Sequence, residues 1–535
     1  MTVPATESAR MVTELVRLHQ ALQAVALPLD LDGAAERRHD LAEIIGQLED
    51  YVIPRMMTID APLLAVVGGS TGAGKSTLVN SLVGSRVTEA GLLRPTTRSP
   101  VLVHHPDDGH WFGQDRLLPQ LVRVEHETSD PHALQLVASD AVPRGLAILD
   151  APDVDSVEEQ NRLLAAQLLA TADLWLFVTS AARYSDQVPW EFLKAAAERS
   201  TAVAIVLDRT PDDAVQTVAT HLARMLAARG LKDSPLFIVH EGTVSDDGLL
   251  PAGHVAEVHD WLVKLAGDPD ARRSIAAQTL DGAIRSLTFR SHGLADSAGA
   301  QTSAVEKLRA AAATAYDRAV ATASTSMSDG SVLRGDALAA WQELGASDAL
   351  TEKGRKGKTA KLVERASDRI TAALELLVLE RAEVAAEQTA EEWRQAGGDQ
   401  ILAEVPDLAR ASRGLRGQAG RSVEDWLQDT RDLVRASGPT EDAVSTAVVA
   451  AVVGGTDVHR GAAQAIGLTK AVEIAERAKA SLNSRVASLL RAEQGRFDAV
   501  LDALAIDPEV PTHLRQAARR VDDIRWAAQN DPLGM

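Results

Sequence analysis

The chain of 535 residues contains no cysteine, which excludes disulfides, zinc–thiolate sites and thiol nucleophiles. Aromatic residues are scarce at 3%, and 75 acidic residues outnumber 55 basic ones, giving a formal net charge of −20. Because nucleic-acid binding needs a basic surface, we expect no nucleic-acid partner. The sequence also lacks an apolar run of the roughly 18–20 residues that span a bilayer. Without a signal-peptide pattern at its start, the chain is expected to be cytoplasmic.

The pattern of apolar residues changes twice along the chain. Residues 8–54 show the spacing of two amphipathic helices, the second expected to end at Pro54. Short apolar runs then alternate with helical stretches, and after about Trp261 the pattern is almost entirely helical. The apolar runs are LLAVV (63–67), PVLVHH (100–105), GLAILD (145–150), LWLFVT (174–179), AVAIVL (202–207) and PLFIVH (235–240).

Buried strands that alternate with helices indicate an α/β domain with a mostly parallel sheet and flanking helices. We therefore predict an α/β P-loop domain joined to a long all-α bundle or stalk. A two-helix arm cannot bury its apolar faces alone, so we expect it to pack on the carboxy-terminal helices. The predicted segments are a helical arm (1–58), the P-loop domain (59–266) and the helical region (267–535).

The strongest motif is GSTGAGKS at residues 69–76, which fits G-x-x-x-x-G-K-[ST] between a strand and a helical stretch. Its glycines let backbone N–H groups surround phosphate oxygens at a helix N-terminus. Lys75 is expected to neutralise the β- and γ-phosphates, and the Ser76 hydroxyl to coordinate Mg²⁺. The predicted nucleotide-binding residues of this loop are Gly69, Ser70, Thr71, Gly72, Ala73, Gly74, Lys75, Ser76 and Thr77.

Two further segments lie where a nucleotide-hydrolysing domain would need them. The stretch LLRPTTRSPVLV at 92–103 places Thr97 before a strand, where its hydroxyl could reach Mg²⁺ and its backbone the γ-phosphate. The alternative is a plain Pro-Thr turn. The stretch LAILDAP at 146–152 ends a strand in Asp150, which could hold Mg²⁺ through water, although a strand-terminal Asp can also be only a turn former.

The ordered set GSTGAGKS, RPTTRSP and ILDAPD, followed by a long helical region, resembles the dynamin-like GTPases of bacteria. The resemblance implies phosphate and Mg²⁺ roles for Lys75 and Ser76, a switch role for Thr97, and Mg²⁺ binding by Asp150. It implies GTP as the nucleotide and a helical region that couples nucleotide state to self-assembly and membrane binding. The implied location is cytoplasmic, with peripheral association at the inner face of the plasma membrane.

The third motif departs from that family's Asp-x-Pro-Gly, because Asp153 stands in place of the glycine. Asp153 restricts the turn and adds a negative charge near an anion. The family also orients the attacking water with polar residues of the phosphate loop, and the matching positions here are Thr71 and Gly72. Thr71 could serve through its hydroxyl, whereas Gly72 has no side chain, so we expect slow basal turnover.

The fourth motif, normally Asn/Thr-Lys-x-Asp in that family, corresponds to the segment AIVLDRTPDD. Asp208 and Arg209 are the predicted base-side residues, with the Arg209 stem able to pack over a base. Pro211 stands where the guanine-reading Asp is expected, and it cannot make that paired hydrogen bond. Asp208, or Asp212 one position late, could substitute, and His240 and Glu241 lie where the last base-side loop is expected.

Two segments of the helical region bear on membrane binding. The run EKGRKGKTAK at 352–361 is basic and could contact anionic lipid, or be a solvated loop. The run AVSTAVVAAVVGG at 443–455 is apolar but too short to span a bilayer. It is either a buried helix or a membrane-contacting tip.

The sequence therefore predicts a Mg²⁺-dependent GTPase that forms a homo-oligomer, or a hetero-oligomer with a related GTPase, at an anionic membrane surface. One rival is a P-loop ATPase or a nucleotide hydrolase of relaxed specificity, motivated by Pro211. The other is a nucleotide-binding scaffold with little hydrolysis, motivated by Asp153 and Gly72.

Overall fold

The computed structural model describes residues 5–88, 99–114, 116–128, 130–156, 159–198, 201–346, 358–437, 442–454, 462–463 and 466–530. The chain forms two compact units. The first comprises Met1–Val25, Ala35–Ala298 and Glu509–Met535, and the second comprises Ala26–Ala34 and Gly299–Pro508. Each unit draws on separate stretches of chain, and the division into consecutive segments at residues 58 and 266 stays a prediction.

The first unit is built on an eight-stranded sheet with the order β3-β4-β2-β5-β1-β6-β7-β8. All neighbouring strands are parallel except β2 and β5, which pair antiparallel. The strands are β1 Leu63–Gly69, β2 Val101–His104, β3 Val122–Val124, β4 Ala133–Ala138, β5 Leu146–Asp150, β6 Leu174–Ser180, β7 Ala202–Thr210 and β8 Leu236–His240. The predicted α/β class with a mostly parallel sheet is confirmed.

The helices, in chain order, are α1 Ala5–Gln23, α2 Ala34–Gln47, α3 Ile53–Met57, α4 Lys75–Val83, α5 Glu159–Ala170, α6 Gln187–Glu198, α7 Val215–Ala227, α8 Ala252–Gly267, α9 Pro269–Ser328, α10 Gly335–Ala346, α11 Lys358–Gln395, α12 Asp399–Glu404, α13 Leu415–Arg435, α14 Asp442–Gly454, α15 Leu468–Ala503 and α16 Val510–Asn530. A π-helical turn, Leu48–Val52, joins α2 to α3, and 3₁₀ turns occupy Pro106–Phe112 and Pro406–Ala409.

The central strands position the site. β1 is buried along its whole length, as expected for a strand covered on both faces, and β5 and β6 lie on either side of it. The carboxyl ends of β1, β5, β6 and β7 therefore meet at one edge of the sheet, which is where open α/β sheets bind ligands.

The amino-terminal helices are part of the first unit. There α1 packs against α16, which buries the apolar face of each helix. The expectation that Pro54 ends the second helix is wrong, because the chain continues through the π-helical turn into α3. Pro54 lies in the first turn of α3.

The second unit is an all-α bundle, as predicted for the helical region. Its core is rich in alanine, which lets helices approach closely around a few large side chains. Trp393 and Trp426 are fully buried, and their indole N–H groups donate to the carbonyl oxygens of Leu308 and Ala478, both at 2.8 Å. These bonds satisfy the polar atoms that the tryptophans bring into the core.

The apolar run at 443–455 forms most of α14, and residues 444–453 are buried in this core. Membrane contact by this segment would require it to leave the core, and that contact stays a prediction. Most of the basic run at 352–361, including Lys353, Arg355 and Lys356, lies outside the described residues. Among the helices that the structure describes, none is both long and apolar enough to cross a membrane.

Candidate functional site

The phosphate loop connects β1 to α4, and its backbone depends on glycine. Gly69, Gly72 and Gly74 have φ angles of +151°, +72° and +100°. A Cβ atom at position 69 would lie 2.0 Å from the carbonyl oxygen of Val178, and one at position 74 would lie 1.9 Å from Asp208 Oδ2. The glycines therefore provide both the left-handed backbone and the space that the loop needs. Ala73 and Ser70 are buried in the loop, and Thr77 is half-buried in the first turn of α4.

Lys75, the first residue of α4, points its ammonium group back along the loop. Its Nζ donates to the carbonyl oxygens of Gly69 at 3.2 Å and Ser70 at 3.1 Å. It also pairs with Asp153 Oδ1. The Lys75 side chain is 5% exposed and that of Asp153 is 15% exposed, so this ion pair is largely shielded from water.

Ser76 and Asp150 meet beneath the loop. The Ser76 hydroxyl donates to Asp150 Oδ2 at 2.7 Å, and the Thr88 hydroxyl donates to the same oxygen at 2.8 Å. Complete burial raises the pKa of Asp150, while the hydrogen bonds from Ser76 and Thr88 and the charge of Lys75 oppose that rise. Asp150 Oδ1 is buried and has no hydrogen-bond partner among the described residues.

This arrangement fits Mg²⁺. A hydroxyl and a carboxylate are hard oxygen ligands, and a P-loop domain usually completes the shell with phosphate and water oxygens. The unpartnered Asp150 Oδ1 gives a buried acceptor that a metal-bound water could use. Within the described ranges no three acidic or histidine side chains form a metal-binding group, which a site built on one hydroxyl and one carboxylate does not require.

Thr71 is held by a carboxylate that sequence reasoning did not identify. Its backbone N–H and its hydroxyl both donate to Asp155 Oδ1, each at 2.6 Å. The other oxygen of Asp155 accepts from Arg183 Nη1 at 3.2 Å. Arg183 follows β6, and the segment after β5 carries Asp155, so the sheet order brings both to the phosphate loop.

On the base side, β7 runs further than its apolar residues predict and includes Asp208, Arg209 and Thr210. The pairing with β8 shifts register between Leu207 and Thr210, and Arg209 has a φ of +49°. A bulge of this kind re-aims side chains beside functional sites. Asp208 is buried beside Gly74, and its Oδ1 accepts from the Arg209 N–H at 2.8 Å. Burial raises the pKa of Asp208 to about 6, against the opposing effects of this hydrogen bond and the Arg209 charge.

Beyond the bulge, Pro211 is followed by Asp212, whose Oδ1 lies 2.6 Å from His240 Nδ1. His240 ends β8 and is the register partner of Thr210. Asp212 is 89% exposed and His240 is 48% exposed. The structure therefore places an Asp–His pair on the surface beside the predicted base-side strand.

The structure brings Gly69–Ser76 and Asp150 together at one edge of the sheet, with Asp208 beside the loop at Gly74. Thr97, the predicted switch residue, lies outside the described residues. Sequence reasoning missed Thr88 and Asp155, which contact this set, and Arg183, which contacts Asp155. Asp155 had a usable signal, because it lies two residues after the altered third motif; Thr88 and Arg183 had none.

Comparison with known proteins gives one family and several distant similarities. Residues 64–209 match the Dynamin family. A curated relative, "Probable transmembrane GTPase FZO-like, chloroplastic" of Arabidopsis thaliana, is 25% identical over 172 residues, which are 32% of this chain and 18% of that protein. The chain thus matches less than a fifth of that relative's length.

Two solved structures are similar at low levels. One, described as "An oligomerised bacterial dynamin pair provides a mechanism for the long-range sensing and tethering of membranes", aligns over 99% of this chain and 96% of that chain, at 10% identity and a TM-score of 0.38. Toc33 from Arabidopsis thaliana in complex with GDP and Mg²⁺ aligns over 48% of this chain and 96% of that chain, at 17% identity and a TM-score of 0.24. Neither similarity is close enough to carry an argument about this site.

The match to the Dynamin family covers the strand before the phosphate loop, the loop itself, Asp150 and the base-side strand up to Arg209. The resemblance read from the sequence motifs is thereby confirmed for this part of the chain. Residues 64–209 are therefore similar to the Dynamin family.

Proposed function

We propose that this chain binds GTP together with Mg²⁺ and hydrolyses the bond between the β- and γ-phosphates. The observation that carries the proposal is the Ser76–Asp150 contact at 2.7 Å directly after the phosphate-loop Lys75. In this proposal the N–H groups at the start of α4 and the Lys75 ammonium bind phosphate oxygens. Ser76 and Asp150 hold Mg²⁺, which would neutralise charge on the phosphates.

The attacking water would be oriented by the loop. The Thr71 hydroxyl donates its hydrogen bond to Asp155, so the lone pairs of its oxygen can accept a hydrogen bond from a water molecule. Gly72 offers no side chain for this purpose, and the proposed catalytic set is Lys75, Thr71 and Thr97. With one hydroxyl in place of two polar side chains, we propose slow basal turnover.

Guanine is the proposed base, and Asp208 and Arg209 are the proposed base-side residues. Asp208 supports the loop through its position beside Gly74, and Arg209 is exposed and free to cover a base. A specific observation keeps relaxed base specificity as a second candidate: Pro211 follows the bulge at the place of the expected guanine-reading carboxylate.

The proposed hydrolysis is tested by assaying GTP and ATP in parallel with Mg²⁺, on the wild type, Lys75→Ala and Lys264→Ala. Lys264 is an exposed lysine of α8 and serves as the matched control. We expect Lys75→Ala to lose about 100-fold or more in turnover, because a preorganised cation on the phosphates is removed, and Lys264→Ala to behave as wild type. Faster turnover of ATP than of GTP would make ATP the proposed substrate. Nucleotide binding without turnover would favour the nucleotide-binding scaffold.

We further propose that the helical region couples nucleotide state to self-assembly and to an anionic membrane surface, from the cytoplasmic side. The partner would be another copy of this chain or a related GTPase. The proposal is tested by co-sedimentation with anionic and neutral liposomes, with GDP or a non-hydrolysable GTP analogue. Sedimentation that depends on neither lipid charge nor nucleotide would contradict the coupling.

A further inference from the structure

The Lys75 ammonium has three N–H donors, and three acceptors surround it. Two are the backbone carbonyls of Gly69 and Ser70, which are fixed by the buried end of β1 and the start of the loop. The third is the carboxylate of Asp153. A phosphate oxygen that binds Lys75 must replace one of these partners, and Asp153 is the partner that belongs to a side chain.

Asp153 reaches Lys75 from the segment that follows β5. That segment begins directly after Asp150, the residue proposed to hold Mg²⁺. A Mg²⁺ held by Asp150 would neutralise charge on the phosphates, so the segment directly after Asp150 would lie beside the terminal phosphate. A γ-phosphate oxygen that approached Lys75 from this direction would meet the Asp153 carboxylate.

The segment is held at a second point as well. Asp155 accepts two hydrogen bonds from Thr71 of the phosphate loop and one from Arg183. Two carboxylates therefore contact the loop through its lysine and its threonine. A triphosphate brings additional negative charge to the same place, which repels both carboxylates and requires Asp153 to move.

We infer that Asp153 determines the preference of this site between nucleoside diphosphate and triphosphate, by holding the contact on Lys75 that a γ-phosphate needs. The inference rests on the proposed guanine-nucleotide function of the same site. A diphosphate offers Lys75 only its β-phosphate oxygens and has no γ-phosphate oxygen that competes with Asp153, so the Lys75–Asp153 pair lowers its affinity less. A triphosphate binds only after that pair is broken, so its affinity is lowered.

The test measures dissociation constants of fluorescent GDP and a fluorescent non-hydrolysable GTP analogue, with Mg²⁺, for the full chain. Asp153→Asn keeps the shape of the side chain and removes its charge, and Asp153→Gly restores the family's residue. Asp107→Asn is the matched control, because it removes one charge from an exposed carboxylate of the same unit. We expect the ratio of triphosphate to diphosphate dissociation constants to fall about tenfold or more in both Asp153 variants, the effect of removing one nearby like charge. The control should keep the wild-type ratio.

The outcomes separate this inference from the proposed function. If all proteins bind both nucleotides and the Asp153 variants keep the wild-type ratio, the inference is overturned and the proposed function stands. If the wild type binds but both Asp153 variants bind neither nucleotide, Asp153 is required for binding and the inference is again overturned. If the wild type binds neither guanine nucleotide, the proposed function fails and the inference fails with it.

Discussion

Replacing Arg55 with methionine tests whether a buried ion pair ties α3 to the central sheet. Arg55 donates from Nε to Asp173 Oδ1 at 2.9 Å, and its Nη2 lies 2.9 Å from Asp173 Oδ2. The two side chains are 1% and 0% exposed. Asp173 also accepts from the Tyr51 hydroxyl at 3.0 Å and from the Leu64 N–H at 2.9 Å. This carboxylate therefore joins the helical turn before β1 to the start of both β1 and β6.

The magnitude follows from burial. Methionine keeps much of the packing volume of Arg55 but leaves Asp173 charged and without its cation. Removing one partner of a buried, hydrogen-bonded ion pair costs about 3–5 kcal/mol, because the remaining charge stays out of water. Arg273→Met is the control, since Arg273 pairs with Asp60 at 2.8 Å but the two side chains are 51% and 62% exposed. An exposed pair of this kind contributes about 1 kcal/mol or less.

The assay is urea unfolding followed by circular dichroism, with the free energy taken from the transition midpoint and slope. We expect Arg55→Met to lower the unfolding free energy of the first unit strongly. Arg273→Met should leave that free energy nearly unchanged. Asp173→Asn in the Arg55→Met background should recover part of the loss, because the uncompensated charge is then removed. Equal and small losses in the two arginine variants would refute the reasoning.

Two further predictions concern the phosphate loop. Because the folded-state pKa of Asp208 is raised from 3.8 to about 6, the folded form binds its proton more tightly, and stability is lost as pH rises through that window. Between pH 3.8 and about 6, the unfolding free energy of the wild type minus that of Asp208→Asn should fall by about 1.4 kcal/mol per pH unit. A difference that does not change with pH would contradict the burial of Asp208. Gly69→Ala and Gly84→Ala both place alanine at positive φ, but only position 69 meets a backbone oxygen, whereas position 84 has open space. Thermal unfolding should show Gly84→Ala losing about 1–2 kcal/mol and Gly69→Ala clearly more; equal losses would mean that the loop relaxes around the added methyl group.

The strands that sequence reasoning found are those with a continuous apolar run, and most of them are buried. β1, β5 and β6 are buried at every position and appear in the sequence as continuous apolar runs. The edge strand β3 and its neighbour β4 were missed because they carry polar or partly exposed residues, as in VRV at Val122–Val124. Position in the sheet, which a local pattern does not contain, decides whether a short polar run forms a strand.

Some residues of the candidate site could be predicted from the sequence, and others could not. The phosphate loop and Asp150 were predictable because their spacing along the chain is itself the signal. The contacts of Lys75 with Asp153 and of Thr71 with Asp155 join residues that are far apart in sequence and meet only because β5 neighbours β1. Sequence reasoning identified Asp153 as a departure and a local charge, and the structure supplies its partner.

Two of the departures from the family motifs, Asp153 and Pro211, differ in how firmly the fold holds their surroundings. Asp153 pairs with a lysine that is 5% exposed, and the neighbouring Asp155 is fixed by the phosphate loop, so the altered phosphate side is part of the packed structure. Beside Pro211, the Asp212–His240 pair is largely exposed, and exposed pairs of this kind contribute little to stability. The fold therefore holds the Lys75–Asp153 contact in place but leaves the exposed Asp212 and His240 side chains free to rearrange. Under the proposed function, selectivity for the number of phosphates would therefore rest on a packed contact, whereas selectivity for the base would rest partly on exposed side chains.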